Sequence, residues 1–199
     1  MRRILPRATA RGRDVGYRGP MVSSSLRRSL SAVGRSALAL LLGGACQNPG
    51  ALPVAEKQER IDELFEGYRK KFPNAPEMTV ETLKARLAAP DPPVIVDTRG
   101  DDERAVSMIA GALSQEDFEE RREELAGREV VTYCTIGYRS GLYTEKLVGE
   151  GWNAFNLRGS IVSWTHVGGP LVKDGAPTRR VHVYGRKWNL LADGYEAIW

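Results

Sequence analysis

The chain has 199 residues and a formal net charge of +4, enough for one ordinary domain with appendages. The positive charge is uneven: residues 1–45 hold nine arginines and one acid (Asp14), and the rest holds 20 basic and 24 acidic side chains. The part able to fold is mildly acidic, which excludes a nucleic-acid partner inferred from net charge, and two cysteines, Cys46 and Cys134, form no disulfide framework.

Residues 1–36 are rich in Arg, Ser and Gly without apolar periodicity, and no fold is assigned to them. An apolar run at 37–42 leads into Gly43, Gly44, Ala45 and Cys46. Basic leader, short apolar run and small residues make a secretory signal pattern. The run is too short to span a bilayer, which takes about 20 apolar residues. A start at Met21 leaves a leader of ordinary length, with Arg27, Arg28 and Arg35 as its basic part. The surroundings of Cys46 resemble the lipobox of bacterial lipoproteins. That resemblance implies lipidation at Cys46 and a periplasmic protein held at the membrane by a lipid anchor; ordinary cleavage after Ala45 is the alternative.

Residues 47–53 read as a tether. Over 54–72, Ile61, Leu64, Phe65, Tyr68 and Phe72 fall at helical spacing with charges between them, and Pro73 and Pro76 stop the pattern. Thr79 is an N-cap candidate for a second helix carrying Val80, Leu83 and Leu87 on one face. Val94, Ile95 and Val96 form a short continuous apolar run, the mark of a parallel strand buried on both faces. Asp97-Thr98-Arg99 closes it at the end where α/β proteins build sites. A charged turn follows from Asp101. Ser114 then caps a helix that turns Phe118 and Leu125 inward and leaves the charges at 119–124 in water. Alternating strands and helices predict an α/β fold with a mainly parallel sheet.

The apolar run at 130–133 ends in Cys134, and four residues separate Cys134 from Arg139. A helical pattern over 140–150 places the intervening loop at a helix N-terminus. The thiolate is the reactive form of cysteine, whose free pKa is about 8.5, and helix N-termini and nearby cations lower that value. Backbone N–H groups curling round Cys134 form an anion nest. Gly137 supplies a conformation other residues resist, and Arg139 adds a permanent charge. The alternative is Cys134 as a small buried hydrophobe.

Cys134-Thr135-Ile136-Gly137-Tyr138-Arg139-Ser140 resembles the Cys-x-x-Gly-x-Arg active-site loop of rhodanese-like domains. The likeness extends to the strand ending in Asp97-Thr98-Arg99, to Ile109-Ala110-Gly111-Ala112, and to the stretch 157–164 with its Trp164. Met108, Ala110 and Arg104 stand where that family often has a histidine, a proline and an aromatic. The resemblance implies a three-layer fold, a central mainly parallel sheet flanked by helices. It implies sulfane-sulfur transfer, with Cys134 as the nucleophile that becomes a persulfide and Arg139 steadying the loop or the donor. Thr135, Ile136, Gly137, Tyr138 and Ser140 are then the loop residues that hold the sulfur. The donor is a small anion such as thiosulfate, the acceptor is cyanide or a thiol, and no metal or organic cofactor is needed. Thr135 and Ile136 are uncharged where some thiosulfate-using relatives carry basic residues, which leaves the donor open.

Related cysteine phosphatases and arsenate reductases keep five residues between Cys and Arg, so the shorter loop here makes a cradle sized for one sulfur atom. The other alternative is a non-catalytic carrier, sensing or protein-binding module of the same fold. His166 and His182 show no pairing with Cys134 and no metal-ligand spacing. Trp152, Phe155, Trp164, Trp188 and Trp199 read as packing residues. The organisation expected is a leader at 1–46, tether and amphipathic helix at 47–75, the domain at 76–172, and a C-terminal extension packed on it at 173–199.

Overall fold

The structure, a computed structural model, describes residues 48–199; the leader, with Met21 and the proposed lipidation at Cys46, lies outside the described residues. Asn48 opens a single 3-10 turn at Pro49–Ala51 by accepting the Gly50 N–H on its side chain. In chain order follow α1 (Val54–Arg69), β1 (Glu77–Met78), α2 (Val80–Leu87), β2 (Val94–Asp97), α3 (Asp101–Arg104), β3 (Met108–Ile109) and β4 (Leu113–Ser114). Then come α4 (Gln115–Glu120), β5 (Val130–Tyr133), α5 (Tyr138–Gly149), β6 (Ala154–Leu157) and α6 (Ser160–His166). The remainder holds β7 (Leu171–Lys173), β8 (Ala176–Pro177), β9 (Arg180–His182), a 3-10 turn at Arg186–Trp188, and β10 (Glu196–Ile198).

The central sheet is parallel throughout, in the order β1-β6-β5-β2-β4. Its middle strands are apolar on both faces because helices cover both. Ile95, Val131 and Tyr133 point to one side, where they meet Ile61 of α1, Leu83 of α2 and Ile161 and Trp164 of α6. Val96 and Val130 point to the other, against Phe118 of α4 and Tyr143 and Leu147 of α5. The result is the expected three-layer α/β fold, its central sheet parallel and flanked by helices. Strand β5 lies in the middle, so whatever follows Tyr133 emerges at the carboxyl edge with structure on every side.

Local signals explain most boundaries. Thr79 accepts the Thr82 N–H and starts α2 as expected. Ser114 and Asp117 form a capping box that starts α4. Helix α4 stops after Glu120, shorter than expected, because no apolar side chain between Phe118 and Leu125 anchors another turn. Leu125 is still buried, reached through turns. Helix α1 likewise ends at Arg69, and turns carry Phe72 into the interior.

The segment read as a tether does more from Asn48 onward: a Cβ placed on Gly50 would lie 2.6 Å from the Asn189 amide, so this turn rests on the chain's tail. The tail forms its own parallel pair, β9 with β10. An antiparallel trio, β3-β7-β8, joins the connection after α3 to the stretch after α6. No helix among the described residues is long and apolar enough to cross a membrane.

Candidate active site

Strand β5 delivers Cys134 to a loop that closes onto the first turn of α5. Gly137 makes the turn with a φ of +113°, a region that L side chains rarely adopt. A Cβ there would also lie 2.5 Å from the Phe65 ring of α1. The glycine is therefore required twice, by backbone conformation and by close approach. Its N–H donates to Cys134 Sγ at 3.2 Å.

The loop is held from outside by the β6–α6 connection. Ser160 Oγ accepts the Cys134 N–H at 3.1 Å and donates to the Leu157 carbonyl at 3.2 Å. The Ile161 and Val162 N–H groups, at the start of α6, donate to the carbonyls of Cys134 and Thr135. Asn156 of β6 donates to the Gly137 carbonyl at 2.9 Å and accepts from Ser140 Oγ at 2.7 Å. These bonds point the carbonyls of Cys134, Thr135 and Gly137 outward onto donors, while the Gly137 and Ser140 N–H groups turn to the sulfur. Ser160 does this with a φ of +50°, a strained conformation for a non-glycine residue that costs roughly 1–3 kcal/mol and is retained where the surroundings over-determine it.

Arg139 turns to Glu103, the last acid of the charged turn now seen as α3. Its two terminal nitrogens meet the two carboxylate oxygens at 2.6 and 2.8 Å. Thr135 Oγ1 donates to the same carboxylate at 3.0 Å, and the Gly100 N–H adds another bond at 3.2 Å. Burial pushes the Glu103 pKa up, but the bonds and charge of Arg139, with help from Gly100 and Arg99, hold it below the usual carboxylate value. Burial also opposes ionisation of Cys134. The Ser140 N–H, the Arg139 charge and the Gly137 N–H outweigh it and draw the thiol below its ordinary pKa.

Beneath α3 lies a buried brace. Arg99 and Asp97, both fully enclosed, pair at 2.7 Å; Arg99 also donates to the Ser107 carbonyl at 2.6 Å. Tyr133 Oη donates to Asp97 at 2.5 Å and accepts the Ile109 N–H at 3.0 Å. Asp97 and Arg99 thus tie the end of β2 to β3 and fix the platform from which Glu103 reaches the loop.

Above the thiol opens a cavity of about 420 Å³, lined by Tyr68, Cys134, Thr135, Ile136, Tyr138, Arg139, Tyr184 and Trp188. The predicted loop residues are therefore together, but they face different ways. The Thr135 hydroxyl bonds Glu103, the Ser140 hydroxyl bonds Asn156, and Tyr138 is partly exposed with its ring 5.2 Å from that of Tyr68. His182 reaches within 4.0 Å of Glu103, and His166 bonds the Leu190 carbonyl. Among the described residues no cluster of His, Cys, Asp and Glu could hold a metal ion.

Sequence reading left Glu103 in an unremarked charged turn and did not single out Asn156 or Ser160. Trp188 packs in the core as expected and also forms part of the cavity wall. The one available signal was that an arginine beside a buried thiol needs a carboxylate; nothing in linear spacing says which.

Fold and site together define an α/β domain that presents an activated cysteine from a central strand inside a nest of backbone donors. The rhodanese-like domain family model matches residues 79–166. A sulfurtransferase from Allochromatium vinosum is 36% identical over 100 residues, covering 48% of this chain and 94% of that protein. The chain belongs to the rhodanese-like domain family. A tRNA uridine(34) hydroxylase from Brucella anthropi is 32% identical over 88 residues, which are 39% of this chain and 29% of that one. Among solved structures, thiosulfate sulfurtransferase from Pseudomonas aeruginosa is similar at 27% identity with a TM-score of 0.48. That match covers 57% of this chain but 23% of the Pseudomonas protein.

Proposed function

We propose that the protein is a sulfurtransferase that carries sulfane sulfur as a persulfide on Cys134. The observation that carries this reading is the Gly137 N–H aimed at Sγ, with the Ser140 N–H as a second backbone donor to the same sulfur. In the first half-reaction the Cys134 thiolate attacks the outer sulfur of a donor such as thiosulfate. A bond forms from Sγ to that sulfur, the donor's sulfur–sulfur bond breaks, and sulfite leaves with the electron pair. In the second, cyanide or a thiol attacks the terminal sulfur and returns the thiolate. The backbone donors of residues 135–140 stabilise the anion at both stages. Arg139 acts by fixing the loop through Glu103 and by lowering the thiol pKa.

Thiosulfate and cyanide together should yield thiocyanate with the wild type and only background with Cys134→Ser. Equal yields would overturn the assignment. Intact-mass analysis after donor treatment should show the gain of one sulfur atom, absent in the variant.

The proposal extends to location. The basic leader and the residues before Cys46 support export and a lipid anchor. Incorporation of a palmitate analogue that is lost in Cys46→Ala is the expected result.

A further inference from the structure

We propose that the preferred substrates at Cys134 carry their sulfur on a flat, apolar organic body, and that the chain flanking the family-matched segment selects for it. This inference rests on the sulfur-transfer reading above.

Four rings surround the approach to the thiol: Tyr68, Tyr138, Tyr184 and Trp188. Three of them, Tyr68, Tyr184 and Trp188, lie outside residues 79–166. The loop supplies the reactive sulfur, and the flanks supply the wall. Tyr68 bridges them, its ring 5.2 Å from Tyr138 and 6.1 Å from Trp188. The cavity, at about 420 Å³, falls in the roughly 300–1,000 Å³ range of sites for organic ligands. It is far larger than a small inorganic anion needs.

Charge points the same way. Among the described residues lining the cavity, Arg139 is the one cation, and both its terminal nitrogens are committed to Glu103. A doubly charged inorganic donor would have to compete with that carboxylate. A cationic body is disfavoured too, because Arg139 already sits over Tyr184 at 5.6 Å and Lys187 over Trp188 at 4.7 Å. What remains is apolar ring surface, suited to stacking and to the burial of a flat group.

The chemistry balances without an added oxidant. The Cys134 thiolate attacks the outer sulfur of an organic persulfide. The new bond is Sγ to sulfur, the bond broken is sulfur to sulfur, and the organic thiolate leaves with the electron pair and takes a proton from water.

Benzenethiosulfonate and methanethiosulfonate give up their outer sulfur by the same attack, the sulfur–sulfur bond breaking so that benzenesulfinate or methanesulfinate leaves with the electron pair, and they differ only in the body. With cyanide as acceptor, and each rate normalised to the donor's reaction with a free thiol, kcat/KM should favour the benzene compound. A preference of about tenfold or more corresponds to burying the extra ring surface. Tyr184 is exposed, so Tyr184→Ala should fold with an unchanged melting curve and bring the ratio towards one. A wild-type ratio near one, or a ratio unchanged in Tyr184→Ala, overturns this proposal while sulfur transfer stands. No thiocyanate from either compound or from thiosulfate overturns the sulfur-transfer reading and this one with it.

Discussion

Cys134 is almost fully enclosed, with 2% of its surface exposed, and burial alone would keep it protonated. Its activation depends on donors that cost nothing to reorganise, since the Gly137 and Ser140 N–H groups are fixed by the start of α5. Arg139 contributes charge through space. Removing that charge in Arg139→Met should shift the pH profile of persulfide formation to higher pH, because the thiolate then forms only nearer the ordinary thiol value. Thiolate absorbance followed across pH tests this, and an unmoved profile would mean that the arginine's charge is not felt at Sγ. Glu103 gives a second linkage. Its carboxyl titrates below the ordinary value of 4.5 when folded, so its stabilising contribution is complete above that pH and is lost as pH falls through the depressed value. Glu103→Gln should lower the unfolding free energy at neutral pH by about 1–3 kcal/mol. Urea titrations below pH 4.5 should show the wild type losing stability more steeply than the variant.

Helix α1 belongs to the site although it lies outside the matched segment. Its Phe65, fully buried, presses on Gly137, and Phe72 just beyond it presses on Gly141, where a Cβ would come within 2.4 Å of the ring. Gly137→Ala should therefore lose both stability and sulfur transfer, since it violates φ and meets Phe65 together. Phe65→Ala should cost about 3–5 kcal/mol by leaving a cavity; chemical denaturation measures it, and a loss under 1 kcal/mol would mean that the helix is not packed as described. Much of this architecture was legible in the chain. The β-branched runs at 94–96 and 130–131 announced strands covered on both sides, and Thr79 and Ser114 announced helix starts. The cysteine, glycine and arginine of the loop were legible because their spacing is local. Glu103, Asn156 and Ser160 were not, because each acts on the loop from another strand or helix, across 16 or more positions of sequence. Trp188 packs in the core as expected, and its second role in the cavity wall was hidden because what stands opposite a tryptophan is set by the fold.

The two flanks of the domain hold each other. Lys57 of α1 is buried yet charged, and its partner at 2.9 Å is Asp193 in the tail. Tyr68 meets Trp188, and the turn at Gly50 meets Asn189. Asp193→Asn would leave the Lys57 ammonium enclosed without its carboxylate, so the tail should detach more readily. Hydrogen exchange should quicken across β9 and β10 while the amides of β5 keep their protection; equal quickening in β5 would show that the tail and the central sheet unfold as one unit. Tyr184 sits in this same tail with a φ of +65°. Its N–H donates to His182 Nδ1 at 3.1 Å, and that bond helps hold its ring over Arg139.

The mutual grip of the flanks has a practical side. A gene trimmed to the matched boundaries would encode the reagent without its filter: the thiol loop would survive on paper, but the Phe65 seat beneath Gly137 and three of the four rings above the sulfur would be gone. Rates measured on such a fragment would report how a rhodanese-like loop behaves in open water. They would say little about which sulfur compounds this protein admits.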